Sequence, residues 1–131
     1  MQYRRHYHQG ASYFLTVNLA DRSSDLLIEN IDVLRYAFKT VKQKHPFHID
    51  AIVILPDHLH MLCTMPNDDA DYSKLIKLIK YYFSHRVAKT ERISKSRRKK
   101  GERGIWQRRF WEHCIRNEAD YHAHVNYIHM N

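Results

Sequence analysis

Between Ala51 and Met65 the chain runs almost wholly apolar, broken by Pro56-Asp57, with His58 and His60 set into its second half. Such a run, β-branched at Ile52, Val53 and Ile54 and cut by a turn dipeptide, predicts two strands joined by a short turn, over 47–55 and 58–65. The first is expected to bury Ile52, Val53 and Ile54. In the second, residues two apart project to one face. His58 and His60 therefore point together, while Leu59 and Met61 pack on the other side.

The flanking segments complete a recognisable order. Tyr13 to Leu19, aromatic and β-branched after Gly10, reads as a first strand. Leu27, Ile31, Leu34, Phe38 and Val41 recur at helical spacing from Leu26 to Lys44, with Ser24 or Asp25 as cap and His45-Pro46 as stop. After the turn chemistry and capping cluster of Pro66-Asn67-Asp68-Asp69, Leu75, Ile76, Ile79, Tyr82, Phe83 and Val87 line one side of a second helix. Ile105 to Ile115 suits a fourth strand, and Glu118 to Met130 a final helix. Strand, helix, strand, strand, helix, strand is the split βαβ, ferredoxin-like order of an α+β domain. It predicts one antiparallel sheet with both crossover helices on one face. The last helix is then free to cross the other face or the sheet edge. A chain of 131 residues suits one domain, 1–131.

The net charge of +8 is not spread evenly. Lys89 to Arg109 holds ten basic residues against Glu91 and Glu102, and elsewhere twelve basic residues meet twelve acidic ones. The whole excess thus lies in one segment, which lacks apolar periodicity and reads as a basic loop at about 89–104. A concentrated basic stretch is the electrostatic footprint of a polyanion, because each neutralised phosphate releases counterions; a solvated basic loop is the alternative. Cys63 and Cys114 form no C-x-x-C pair, so neither a disulfide framework nor a zinc knuckle is suggested. No apolar stretch approaches the roughly 20 residues that span a bilayer. No apolar signal core follows the basic N-terminus. A cytoplasmic protein is expected.

Tyr127 and Asn131 stand four apart in the final helix, on one face. Were that helix to cross the sheet face bearing the two histidines, an ion held by His58 and His60 would gain an oxygen ligand, with a phenol beside it. Tyrosine, with an ordinary pKa of about 10, needs such help to act as a nucleophile near neutral pH. The residues alone leave two plainer readings open: a hydrogen-bonded histidine pair without an ion, and Tyr127 in the core with Asn131 as a helix cap.

Leu55-Pro56-Asp57-His58-Leu59-His60, Arg109-Phe110-Trp111-Glu112-His113 and Tyr127-Ile128-His129-Met130-Asn131 together resemble the single-tyrosine HUH transposases of the insertion sequence 200/605 group. The similarity is greater to their REP-associated tyrosine transposases. It extends over nearly the whole chain, from Tyr13-Phe14-Leu15-Thr16-Val17-Asn18 to Gly104-Ile105-Trp106-Gln107-Arg108-Arg109 and beyond. The resemblance implies a ferredoxin-like fold and a transposase that binds hairpin-bearing single-stranded DNA, cleaving and rejoining it through a 5′-phosphotyrosine. It implies His58, His60 and Asn131 as metal ligands and Tyr127 as nucleophile. The ion is expected to be Mg²⁺ or Mn²⁺, with mixed imidazole and carbonyl ligation favouring Mn²⁺. The sequence ends at Asn131, and a ligand at a helix terminus is expected to fray.

Expected DNA contacts are Arg4 and Arg5, then Lys95, Arg97, Arg98, Lys99, Lys100, Arg103, Arg108 and Arg109 on phosphates. Trp106, Phe110 and Trp111 are available for stacking, with at least one tryptophan expected in the core. Tyr121, the rival nucleophile, lacks an amide four residues on and is expected to be structural; His124, one turn before Tyr127, reads as a surface histidine. Two other functions compete. One is a non-catalytic, domesticated nucleic-acid hairpin-binding protein of the same fold. The other is a hydrolase on a histidine-rich zinc site, which lacks an acidic ligand or base at motif spacing. An intact sheet edge permits a homodimer without requiring one.

Overall fold

The computed structural model describes residues 10–88, 95–100 and 103–131. Four strands, β1 (Ser12–Asn18), β2 (His48–Ile54), β3 (His58–Thr64) and β4 (Trp111–Cys114), form one antiparallel sheet in the order β2-β3-β1-β4. The helices are α1 (Leu26–Glu29), α2 (Ile31–Lys44), α3 (Tyr72–Arg86), α4 (Lys95–Lys99) and α5 (Glu118–His129). With β1 and β3 central and both crossovers helical, this is the expected ferredoxin-like order.

Strand alternation divides the sheet into two unlike faces. Tyr13, Leu15 and Val17 of β1 and Leu59, Met61 and Cys63 of β3 meet Leu34, Ala37, Phe38 and Val41 of α2 and Leu75, Ile76, Ile79 and Phe83 of α3 in the main core. The two helices also clasp at the surface, where Arg86 lies 3.7 Å from the centre of the Tyr36 ring. On the opposite face, Phe14 and Leu62 pack with Ile128 of α5, flanked by Ala51, Val53, Ile115, Tyr121 and Val125. The final helix therefore crosses the face that bears His58 and His60.

Several boundaries depart from the expected ones. The first helix breaks at Asn30 (φ −118°, ψ 37°), whose side-chain amide donates to Leu26 O at 3.0 Å. Of the two expected caps, Ser24 is the one whose Oγ accepts the Leu26 amide, at 3.1 Å. The α3 cap is Asp71, accepting from Lys74 N, rather than the preceding cluster. Ile52, at the middle of the edge strand β2, is 37% exposed, whereas Ile49 and Ile54 on the same side pack against the main core. The fourth strand is confined to 111–114; upstream, Trp106 makes only an isolated bridge to Leu19. Within the expected basic loop, Lys95–Lys99 forms a short helix.

Candidate active site

β3 carries His58 and His60 to the α5 face because Leu59, Met61 and Cys63 are claimed by the core. The imidazole rings stand 4.9 Å apart, edge to face. Each is fixed by a neighbour that sequence reasoning passed over. His58 Nδ1 lies 2.8 Å from Asp57 Oδ1, and His60 Nδ1 lies 2.8 Å from Thr16 Oγ1 on β1. Asp57 also accepts from Arg22 Nε at 2.5 Å. That bond, against the cost of burial and with help from His58, holds its carboxyl below the usual carboxylate range. An ionised carboxylate only accepts, so His58 Nδ1 carries the hydrogen of that bond, which leaves Nε2 as the ring atom that could meet an ion. Burial and the adjacent His58 lower the pKa of His60, which favours the neutral, ligating form.

Tyr127 comes to the same place from α5. Its ring centre is 5.2 Å from that of His60, with the rings at 74°, and the residue is half exposed. Phe14 is the common floor, its ring 5.4 Å from His60, 4.7 Å from His124 and 5.8 Å from Tyr127. Ile128 turns inward and is buried, as the helical spacing requires. Asn131 is exposed, and its side-chain amide nitrogen donates back to Tyr127 O. The histidine pair and tyrosine are thus gathered within one chain, with the asparagine one turn on. As a test of metal fit, two imidazoles oriented through Nδ1 by a carboxylate and a hydroxyl have the outer shell that histidine ligands carry.

A second group joins β4 to α5. His113 Nε2 is 2.8 Å from Asp120 Oδ2, and His124 Nδ1 is 3.2 Å from Asp120 Oδ1. Their ligating atoms all fall within 4.8 Å of one another, so this His-Asp-His group is able to hold a metal ion. Here the three satisfy one another, and the Asp120 carboxylate also accepts the Arg116 amide at 2.9 Å. Burial raises the pKa of Asp120, but that amide, His113 and His124 outweigh it and hold the group below its ordinary value. His124 Nδ1 also lies 2.8 Å from Asp120 O, and the residue is partly buried rather than a surface histidine.

Tyr121 points elsewhere. Its hydroxyl donates to Asp50 Oδ1 at 2.8 Å, and this bond, with burial and the carboxylate's charge, raises its pKa. Asp50 sits where the β2–β3 register shifts between Ile49 and Ala51. The bulge frees its carboxylate to accept from Thr64 Oγ1 at 2.7 Å as well.

The basic residues divide. Arg4 and Arg5 lie outside the described residues, as does the side chain of Arg97. Lys95, Arg98, Lys99, Lys100, Arg108 and Arg109 are exposed. Arg103 donates to Ser84 O, to Val87 O at 3.0 Å and to Ala88 O at 3.1 Å, closing the C-terminus of α3. The structure gives it this capping position. Of the aromatic residues, Trp106 is buried, its Nε1 donating to Ser84 Oγ at 3.0 Å, and Phe110 packs against the main core. Trp111 is 62% exposed. A groove of about 970 Å³ between α3 and the 103–110 segment is lined by Lys77, Lys80, Arg103, Arg108, Tyr81 and Phe110 among others, and does not include the histidine pair or Tyr127. No described helix is long and apolar enough to cross a membrane.

Known proteins share both the sequence and the fold. Residues 11–131 match the family described as Transposase IS200 like. A REP-associated tyrosine transposase of Escherichia coli (strain K12) is 43% identical over 130 residues, covering 99% of this chain and 71% of that protein. A solved structure of the REP-associated tyrosine transposase bound to a REP hairpin superposes with a TM-score of 0.85 at 43% identity, over 100% of this chain and 72% of that one. A crystal structure from Deinococcus radiodurans R1, with a TM-score of 0.60 at 17% identity over 99% of this chain and 97% of that one, shares the fold alone. The chain belongs to the IS200-like transposases and is a DNA-processing enzyme of that family.

Proposed function

We propose that this transposase binds hairpin-bearing single-stranded DNA and cleaves and rejoins it with Tyr127 as nucleophile. The observation that carries the proposal is the 5.2 Å approach of the Tyr127 ring to His60 within one chain, on a half-exposed surface that DNA can reach. The phenol oxygen attacks the scissile phosphorus as the bond to the 3′-oxygen breaks. The phenol gives up its proton, the departing 3′-oxygen gains one, and the 5′ end stays on Tyr127 as a phosphotyrosine. Resealing is the reverse attack by a 3′-hydroxyl. His58 and His60, with an oxygen from Asn131, would hold Mg²⁺ or Mn²⁺, which when bound polarises the phosphate and offsets charge developing on it. Asp57 and Thr16 keep the two rings in position, and Phe14 supports His60 and Tyr127 from below. Hairpin binding is supported by the REP-hairpin complex of the 43% identical relative and by the exposed basic residues Lys95, Arg98, Lys99, Lys100, Arg108 and Arg109.

Incubating the protein with a REP hairpin carrying single-stranded flanks and Mn²⁺ should give a covalent adduct that survives denaturation. Tyr127→Phe should abolish the adduct while retaining binding. Binding without any adduct from the wild type would establish the non-catalytic hairpin-binding alternative instead.

A further inference from the structure

We infer that Trp111 is a stacking platform for an unpaired base beside the scissile phosphate, an inference that rests on the strand-transfer reading above. Thr16 pairs with His60 on one side and with Trp111 on the other, so His60, Thr16 and Trp111 form one row across β3, β1 and β4. Directly paired residues in antiparallel strands project to the same face. That this is the α5 face follows from the Thr16–His60 hydrogen bond and from the next row, where Leu62, Phe14 and His113 all meet α5 or its side chains. Two strand spacings place the Trp111 backbone about 10 Å from that of His60. This is the reach from a phosphate to the base of an adjoining nucleotide.

The face is also open there. α5 packs chiefly over β2 and β3, and its apolar cluster with Phe14 and Leu62 takes in Ala51, Val53 and Ile115 but not Trp111. Trp111 retains 62% of its surface exposed, although it sits in a paired strand of a sheet whose other tryptophan neighbour, Trp106, is buried. An indole left exposed at this point offers a flat π-face to whatever occupies the surface between it and Tyr127. The occupant is an unpaired DNA base: single strands are held by stacking on exposed aromatics beside basic groups, and the exposed Arg108 and Arg109 lie just upstream of the strand, separated from it by Phe110. Stacking tolerates any base, so Trp111 would set the position of the strand rather than its sequence. It is a positioning residue.

The test uses the full chain and a REP hairpin with single-stranded flanks, alongside the same DNA with abasic sites in the flanks. In Tyr127→Phe protein, which cannot trap the DNA covalently, the intact hairpin should quench exposed tryptophan emission, and the added change Trp111→Phe should remove the quenching because Trp106 is buried. Trp111→Ala should weaken binding of the intact DNA about tenfold, the effect of losing one stacked base. Abasic flanks should weaken wild-type binding similarly, yet cost Trp111→Ala nothing further. Trp111→Phe, which keeps an aromatic face, should recover most of the affinity, and thermal melting should be alike for all three. If Trp111→Ala binds and forms adduct as well as wild type, or if abasic flanks penalise wild type and Trp111→Ala equally, the inference is overturned while the strand-transfer reading stands. Quenching and abasic sensitivity without any adduct would instead remove the strand-transfer reading and leave the stacking contact. A wild type that neither binds nor reacts removes both.

Discussion

Thr16 Oγ1 stands 2.8 Å from His60 Nδ1, a bond that fixes the ring of the more buried site histidine from a neighbouring strand. Thr16→Val keeps the shape and removes the partner. Loss of such an outer-shell bond typically costs about 10- to 100-fold in metal affinity. Mn²⁺ titration calorimetry should show a fall of that size with little change in melting temperature. Unchanged Mn²⁺ affinity would mean that Thr16 does not orient a ligand.

The two histidine groups make different predictions for the same titration. His58→Ala with His60→Ala should abolish Mn²⁺ binding at the site of adduct formation. His113→Ala should leave Mn²⁺ binding in place and lower stability, since it removes one partner of Asp120. If His113→Ala instead eliminates Mn²⁺ binding, the ion belongs to the α5 group.

Tyr121 and Asp50 fasten α5 to the bulge of β2. Tyr121→Phe should destabilise the protein by about 1.5–3 kcal/mol, the usual range for a hydrogen bond to a charged group. Urea unfolding measures this directly. Adduct formation should persist in the variant, and its disappearance in fully folded Tyr121→Phe would transfer the nucleophile assignment from Tyr127.

Asp120 supplies a pH signature. Its folded pKa is depressed, so its contribution to stability is complete above the unfolded carboxylate value, about 3.9, and is lost as pH falls through the folded value. The stability gap between wild type and Asp120→Asn should therefore be flat near neutrality and close on acidification below about pH 4. Denaturant midpoints at a series of pH values would show it. A gap that widens in acid would contradict the assignment.

Cys63 is fully buried in the main core, and burial pushes its thiol up to about 12, with the Asp50 charge adding to the effect. It should resist a disulfide reagent in the native protein and react only on unfolding. Cys114, half-buried with its pKa also raised by burial, should react slowly and first. Counting thiols released with and without urea distinguishes the two.

The sheet order could be read from the sequence because each element has its own period: alternation in β1 and β3, and 3.6-residue spacing in α2 and α3. Those same periods put His58 and His60 on one sheet face and Tyr127 and Asn131 on one helix face, but left open whether the last helix crosses that sheet face. What remained hidden depends on neighbours in space. Thr16 supports His60 from 44 residues away, a relation that only strand register reveals. One signal was present, a polar Thr16 and Asn18 at alternate positions of an otherwise apolar strand. Asp57 had a plainer signal, standing directly before His58. The break at Asn30 and the exposure of Ile52 escaped because one depends on a local amide bond and the other on which strand lies at the edge.

Strand alternation has one more effect, on errors. A one-residue slip of β3 against β1 would drive His58 and His60 into the core beneath α2 and α3 and put Leu59 and Met61 on the α5 face. The chemistry and the hydrophobic core are thus written on alternate letters of one strand. A misregistered molecule is penalised as a fold before it can exist as a faulty enzyme.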